Sequence, residues 1–313
     1  MSPYARIVGV GGHLPQRVME NDEWQQYIDT SDEWIRSRSG IQRRHIAAEG
    51  ELASDLALPA AQQALANAQL AAGALDMIIV ATTTPDRIYP ATACLLQAKL
   101  GAAGCAAFDV QAVCSGFMYA LSIGEAMIVA GRAKKILVVG AEVYSHILDW
   151  TDRGTCVLFG DGAGAAVLTA SATPGILATR LHADGNYADK LTVNAHVKGG
   201  KLLGDGHTRM DGATVYRFAV EKMTEAAKAV AGDNEIDWLV LHQANRRIID
   251  TVRKRLQVPE EKTVFSVRDH GNTSAASIPL ALAERAADFK GGDRLLLAAV
   301  GGGFTWGATY LQW

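Results

Sequence analysis

Four cysteines occur in this chain of 313 residues, Cys94, Cys105, Cys114 and Cys156. Cys114, in Gln111-Ala112-Val113-Cys114-Ser115-Gly116, stands where an apolar run hands over to a helical pattern. A thiol at such a junction faces free backbone N–H groups and the positive end of a helix dipole, which favour thiolate over thiol. That placement fits a nucleophile, whereas the other three cysteines read as small buried apolar residues. His242 follows the run Trp238 to Leu241 and precedes Gln243-Ala244-Asn245, so it emerges at a strand end, where α/β folds place their ligands. Asn272, in His270-Gly271-Asn272-Thr273-Ser274, precedes another helical pattern and taken alone reads as an N-cap. Together the three offer a thiolate opposite two neutral hydrogen-bond donors, a set suited to stabilising an enolate beside a nucleophile.

The elements that must position these residues alternate. Ala53 to Gln69, Thr92 to Leu100 and Ser115 to Ala130 have helical spacing, and Asp76 to Ala81, Phe108 to Val113 and Lys135 to Gly140 read as buried strands. The second half repeats the order. Helices are predicted over Ala219 to Ala231, Arg246 to Leu256 and Ile278 to Phe289, with strands over Trp238 to Leu241, Thr263 to Val267 and Arg294 to Val300. Asp76 matches Asp237, Phe108-Asp109-Val110 matches Phe265-Ser266-Val267, and Ile136 matches Leu295, a register that sets Cys114 opposite Asn272. Each half ends in a glycine-rich segment feeding an apolar strand, Gly160 to Ala165 in one and Gly301 to Gly307 in the other. The expected fold is therefore α/β, two duplicated halves over 1–170 and 171–313 related by a pseudo-twofold axis, with the site at their junction.

Composition excludes several classes. With 49% hydrophobic and 20% charged residues the chain has too much apolar content for disorder. A net charge of −3 provides no general basic field for nucleic acid or an anionic membrane. No apolar stretch reaches the roughly 20 residues of a membrane helix, and Met1 to Gly12 lacks the order of a secretory signal, so a cytoplasmic protein with reduced thiols is expected. A nucleotide-binding reading of Gly160-Asp161-Gly162-Ala163-Gly164 lacks the following helix, and a tight turn between strands is expected instead.

The set Thr30-Ser31-Asp32-Glu33-Trp34-Ile35, Cys114-Ser115-Gly116-Phe117, His242-Gln243-Ala244-Asn245, His270 to Ser277 and Gly301 to Gly307 resembles bacterial beta-ketoacyl-[acyl-carrier-protein] synthase III, a thiolase-fold family. The resemblance spans essentially the whole chain and implies a five-layered α-β-α-β-α core and a homodimer. It also implies a two-step reaction without metal or cofactor. A short acyl-CoA, acetyl-CoA by expectation, acylates Cys114; malonyl-[acyl-carrier protein] then loses carbon dioxide, and its carbanion attacks the acyl-cysteine.

By the same resemblance His242 and Asn272 stabilise the enolate, and the N–H groups of Cys114 and Gly302 form the oxyanion hole. Thr30, Trp34, Arg38, Arg153, Gly212 and Asn245 contact CoA, with adenine held between Trp34 and Arg153. Tyr89, Tyr144, Val157, Phe159, Leu203 and Met210 shape the acyl pocket, Tyr89 reaching across the dimer, while Arg217 and Arg247 meet the acidic carrier protein. Ser39, Tyr89, Tyr144 and Val300 depart from the residues frequent in the family, and Leu191 to Gly206 is shorter than in many relatives, which leaves chain-length preference open. A synthase-III-like enzyme of a specialised pathway, using another acyl-CoA or acceptor, shares the same Cys-His-Asn set. A degradative thiolase needs a second cysteine near the C-terminal glycine run, and none follows Cys156.

Overall fold

A computed structural model describes residues 4–313. The first half opens with β1 (Tyr4–His13), then a small two-stranded ribbon of β2 (Arg17–Glu20) and β3 (Arg43–Ile46) that flanks α1 (Asp32–Ser39). It continues through α2 (Ala53–Asn67), β4 (Met77–Ala81), α3 (Thr92–Leu100), β5 (Ala106–Val110), α4 (Gly116–Val129), β6 (Lys135–Glu142) and β7 (Gly162–Ser171). The second half contributes β8 (Ile176–Ala183), a hairpin of β9 (Leu191–Lys198) and β10 (Lys201–Met210), and α5 (Gly212–Ala231). It closes with β11 (Trp238–Leu241), α6 (Arg246–Arg255), α7 (Val267–His270), α8 (Ser277–Arg285), β12 (Arg294–Gly301) and β13 (Thr305–Gln312).

One sheet has the order β1-β7-β6-β4-β5 and the other β8-β13-β12-β11. In each, the parallel pair (β4 with β6, β11 with β12) is followed by an antiparallel strand and then an antiparallel edge. Apolar side chains of α4 and α8 pack together with residues of both sheets, such as Ile79, Val138, Leu168, Val240 and Leu297. A helix buried between two sheets has no wet side, which explains why Gly116 to Val129 is apolar around most of its circumference. Helices α2 and α3 cover the outer face of the first sheet, and α5 and α6 that of the second. The result is the expected α-β-α-β-α stack.

The structure changes the expected pattern at two places. The strand predicted over Thr263 to Val267 is absent: Leu239 and Thr263 form an isolated bridge, and the chain turns into α7. The cause is the buried Gln243 side chain. Its Nε2 donates to Leu241 O (2.7 Å) and Val264 O (3.1 Å), and its Oε1 accepts from Ser266 N (2.8 Å) and Val267 N (3.2 Å). One amide thus takes over backbone groups that a ladder would otherwise pair.

The second change concerns register. Single-turn 3-10 segments precede α4 and α8, Val113–Ser115 and Ser274–Ala276, and their first residues share a left-handed backbone, φ 47° at Val113 and 49° at Ser274. Cys114 therefore corresponds to Ala275, and Asn272 lies upstream of that point. The offset between the halves drifts from 161 at Met77 and Trp238 to 159 at Lys135 and Arg294, so no single register carries every element.

Candidate active site

The two 3-10 turns meet at the centre of the molecule because glycines let the strands approach them. A Cβ on Gly140 of β6 would stand 2.2 Å from Ala275 O, and one on Gly301 of β12 would stand 2.8 Å from Cys114 N. The nucleophile turn is pinned from the other half as well. Ser115 Oγ donates to Thr305 Oγ1 (2.8 Å), and Thr305 Oγ1 donates to Ala112 O (3.0 Å), which Ser115 Oγ also approaches to 2.8 Å. Asn272 is held by the first half: its N–H donates to Leu158 O (2.8 Å) and its carbonyl accepts from Gly160 N (3.0 Å). The Asn272 Oδ1 accepts from Ser274 N at 2.9 Å, which fixes the amide and leaves Nδ2 as the free donor.

Cys114, His242 and Asn272 line the inner end of one cavity of about 550 Å³. All three are buried, at 4%, 2% and 6% exposure. Burial pushes the Cys114 thiol up to about 12; the Ser274 hydroxyl and the thiol's own N–H act against this, and the Glu142 carboxylate adds to it. The expectation of a lowered thiol is thereby corrected, because loss of water around the sulfur outweighs the helix end. Burial brings His242 down to about 3, so the imidazole is neutral near pH 7. In the resting site a protonated thiol faces a neutral imidazole and a carboxamide.

The cavity runs outward past α1, α5 and α6. Trp34 and Arg38 are four residues apart on α1 and so share one helix face, which lines the cavity together with Arg153, Gly212 and Asn245. Thr30 is not among the lining residues; it precedes the Ser31 N-cap, at the far end of the helix from Arg38. The Arg153 guanidinium lies over the Trp34 ring at 4.6 Å and donates to Asp29 O (2.9 Å). An interleaved adenine needs about 7 Å, two van der Waals contacts of about 3.5 Å. The expected sandwich is therefore closed, and adenine must lift Arg153 to enter. Asn245 caps α6, its Oδ1 accepting from Arg247 N (2.8 Å) and its Nδ2 donating to Arg38 O (3.0 Å).

Val157, Phe159 and Met210 line the apolar part of the cavity. Tyr144 backs it, stacked face to face on Phe159 with centroids 4.0 Å apart. Leu203 does not line it: it lies near the turn end of the β9–β10 hairpin, where Leu202 is exposed too, and is itself 40% exposed, while Thr208 farther along β10 is buried. Tyr89 also lies outside the cavity of the single chain, 83% exposed on the loop after β4. Gly302 follows β12 next to the lining Val300, and a Cβ there would stand 2.8 Å from Leu191 O.

Arg217 and Arg247 sit at the cavity lip. In the basic run of α6, Arg246 and Arg253 pair with Asp250 and Glu260. Arg247 makes no ion pair among the described residues and lies over the Tyr216 ring at 5.5 Å. Its charge is left to the surface, as are those of the exposed Lys254 and Arg255 at the far end of the helix.

Sequence reading missed Glu142, Ser277, Thr305 and Arg44. Glu142 is fully buried at the end of β6, and burial raises it to about 7 against hydrogen bonds from Thr83 N, Thr84 Oγ1 and Ala275 N. A lone acid closing an apolar strand was its signal. Arg44 is fully buried and its Nη2 donates to Val157 O (2.7 Å), bracing the cavity wall. Among the described residues no group of three or more His, Cys, Asp or Glu could hold a metal ion, and no helix is long and apolar enough to cross a membrane.

A duplicated five-layer fold, with a cysteine from one half facing histidine and asparagine donors from the other, defines a thiolase-like condensing acyltransferase. Comparison with known proteins narrows the class. Residues 108–185 match the family model for 3-oxoacyl-[acyl-carrier-protein] synthase III, and residues 226–313 match the model for its C-terminal part. The chain is 54% identical to beta-ketoacyl-[acyl-carrier-protein] synthase III of Neisseria gonorrhoeae over 318 aligned positions, covering 99% of each. It superposes on the 3-oxoacyl-[acyl-carrier-protein] synthase III of Aquifex aeolicus with TM-score 0.94 and 44% identity, covering 99% of this chain and 100% of that one. For the Thermus thermophilus enzyme the values are 0.92 and 43%, with 98% and 99% covered. The chain belongs to the beta-ketoacyl-[acyl-carrier-protein] synthase III family.

Proposed function

We propose that the chain starts fatty-acid synthesis by condensing a short acyl-CoA, acetyl-CoA first among them, with malonyl-[acyl-carrier protein]. The observation that carries this reading is the buried thiol facing two neutral donors at the end of a cavity whose mouth is lined by guanidinium groups. Cys114 sulfur attacks the thioester carbonyl, the C–S bond to CoA breaks, and the thiol proton leaves on CoA. The carbonyl oxygen gathers charge against the N–H groups of Cys114 and Gly302. Malonyl-[acyl-carrier protein] then loses carbon dioxide. His242 and Asn272 Nδ2 donate to the enolate oxygen, the enolate carbon attacks the acyl group, and Cys114 is released and takes up one proton.

Neutral donors suit this step. An imidazolium would also pair with the malonyl carboxylate and hold the charge that has to leave, whereas a neutral N–H favours the enolate without that cost. In this reading Trp34, Arg38, Arg153, Gly212 and Asn245 receive CoA once Arg153 lifts, and Arg217 and Arg247 receive the acidic carrier protein. The enzyme acts as a cytoplasmic homodimer of two-half chains, 1–170 and 171–313, with Tyr89 reaching the partner, and it needs no cofactor beyond its thioester substrates.

The test is the mass of the intact protein after brief exposure to acyl-CoAs from acetyl to octanoyl, with peptide mapping. One acetyl increment on Cys114, and a 3-oxoacyl product on adding malonyl-[acyl-carrier protein], are expected. Acetyl-CoA failing to load while a longer chain does would overturn the starter; loading at another residue would overturn the nucleophile.

A further inference from the structure

We infer that the Ser277 hydroxyl is a positioning group that holds His242 as the tautomer protonated on Nε2, with that proton directed into the cavity. The inference rests on the proposed role of His242 as an enolate donor, because only the Nε2–H tautomer can serve it.

Ser277 is the first residue of α8 and is buried at 2% exposure. Its Oγ lies 2.7 Å from His242 Nδ1 and accepts the Gln243 N–H at 3.3 Å. A hydroxyl has one proton and two lone pairs. Were Nδ1 protonated, Oγ would accept from both neighbours, and its own O–H would be left buried with no acceptor, since these are its two hydrogen-bond partners among the described residues. With Nδ1 bare, Oγ accepts from Gln243 and donates to the imidazole, and every group is satisfied. A neutral imidazole has one N–H, so the proton is on Nε2, which makes no hydrogen bond to the protein among the described residues and belongs to a cavity-lining side chain. The arrangement is the hydroxyl counterpart of a second group that fixes a catalytic histidine from behind.

The primary experiment reads the unsubstituted enzyme and uses a variant only for assignment. The resting enzyme, with histidines labelled with 15N, is examined by long-range proton–nitrogen correlation NMR, and the His242 signals are assigned by their absence from His242→Gln. Protonated Nε2 with a hydrogen-bonded, bare Nδ1 is expected; protonated Nδ1 overturns the inference. In Ser277→Ala the signals should shift to a mixture of tautomers, and decarboxylation of malonyl-[acyl-carrier protein] should fall about 10- to 100-fold, the scale known for losing the outer hydrogen-bond partner of a metal-bound histidine. Ser277→Thr, which keeps the hydroxyl, should restore both the Nε2–H signal and most of the rate. A Ser277→Ala enzyme with wild-type tautomer and rate removes the role. If the wild type loads Cys114 and condenses yet shows Nδ1–H, the inference falls and the functional reading stands; if it shows Nε2–H but never condenses, the functional reading falls and the hydrogen-bond assignment stands.

Discussion

The neutral resting site makes a prediction about stability that separates it from a thiolate–imidazolium pair. Folding takes His242 from an ordinary 6.5 to about 3. Between those values the unfolded chain binds a proton that the folded chain does not, so this residue makes stability rise with pH, and its contribution is lost as pH falls from 6.5 towards 3. Glu142 works in the opposite sense. Its folded value of about 7 lies above the ordinary 4.5, so the folded chain binds the extra proton and stability falls as pH rises through that window. Each proton is worth about 1.4 kcal/mol per pH unit, and between about pH 4.5 and 6.5 the two slopes oppose and nearly cancel. Single substitutions unmask them. Relative to wild type, His242→Gln should gain about 3 kcal/mol as pH drops across those two units, and Glu142→Gln should lose about as much. Urea unfolding at several pH values and fixed protein concentration measures both. A His242→Gln curve that loses stability relative to wild type on acidification would mean that folding raises the imidazole and keeps it charged, and the neutral-donor account of decarboxylation would fail; a parallel curve would mean an imidazole left at its ordinary value and would refute the burial shift alone.

Three further outcomes follow from the geometry. Asn272→Asp replaces the free Nδ2 donor with a carboxylate oxygen; Cys114 should still take up acetyl, while decarboxylation of the malonyl thioester falls about 100- to 1000-fold, as when an oxyanion donor is removed. Gly301→Ala would set a methyl 2.7 to 2.9 Å from Ala112 O, Cys114 N and Ser115 N, all backbone atoms, so acyl loading should be lost and the urea midpoint lowered. Arg247→Ala should raise the KM for malonyl-[acyl-carrier protein] up to about fivefold, the worth of a rim charge of about 1 kcal/mol, and flatten its salt dependence while leaving that for acetyl-CoA loading nearly unchanged.

Much of this molecule was legible from residue order because its signals are local. The apolar runs of β4, β6, β11 and β12 and the alanine-rich pattern of α2 declare themselves within a few residues, and the repeat of that order declares the duplication. The junction holding Cys114 and the strand end holding His242 were legible for the same reason. What escaped depends on contacts between distant segments. Glu142 meets Ala275 N across 133 positions, and Ser115 meets Thr305 across 190, and no periodicity announces either. The thiol's upward shift was missed because a helix end can be read from sequence, whereas the loss of water around the sulfur depends on what the opposite half packs against it. Leu203 was misplaced because it lies at the outer end of the β9–β10 hairpin, where Leu202 is exposed as well, and how far a hairpin reaches from the body of the molecule is not written in its alternation.

The missing fifth strand of the second half shows how one framework came to hold two different jobs. In the first half β5 pairs with β4 from Ala106 to Val110, and its end delivers Cys114 straight into the turn before α4. In the second half the equivalent segment leaves its ladder after Thr263, because the amide of Gln243 occupies the backbone groups on both sides. Freed from the sheet, the chain makes α7 and returns to lay Asn272 against Leu158 and Gly160 of the other half. Gln243 is also the neighbour of His242 and presents its own N–H to Ser277. A single buried glutamine thus ends a strand, admits the second donor to the cavity and fixes the hydroxyl behind the first. A continuous fifth strand would have kept residues 263–267 in the ladder, at the cost of the loop geometry that lets the second half face the thiol with donors in place of a second nucleophile.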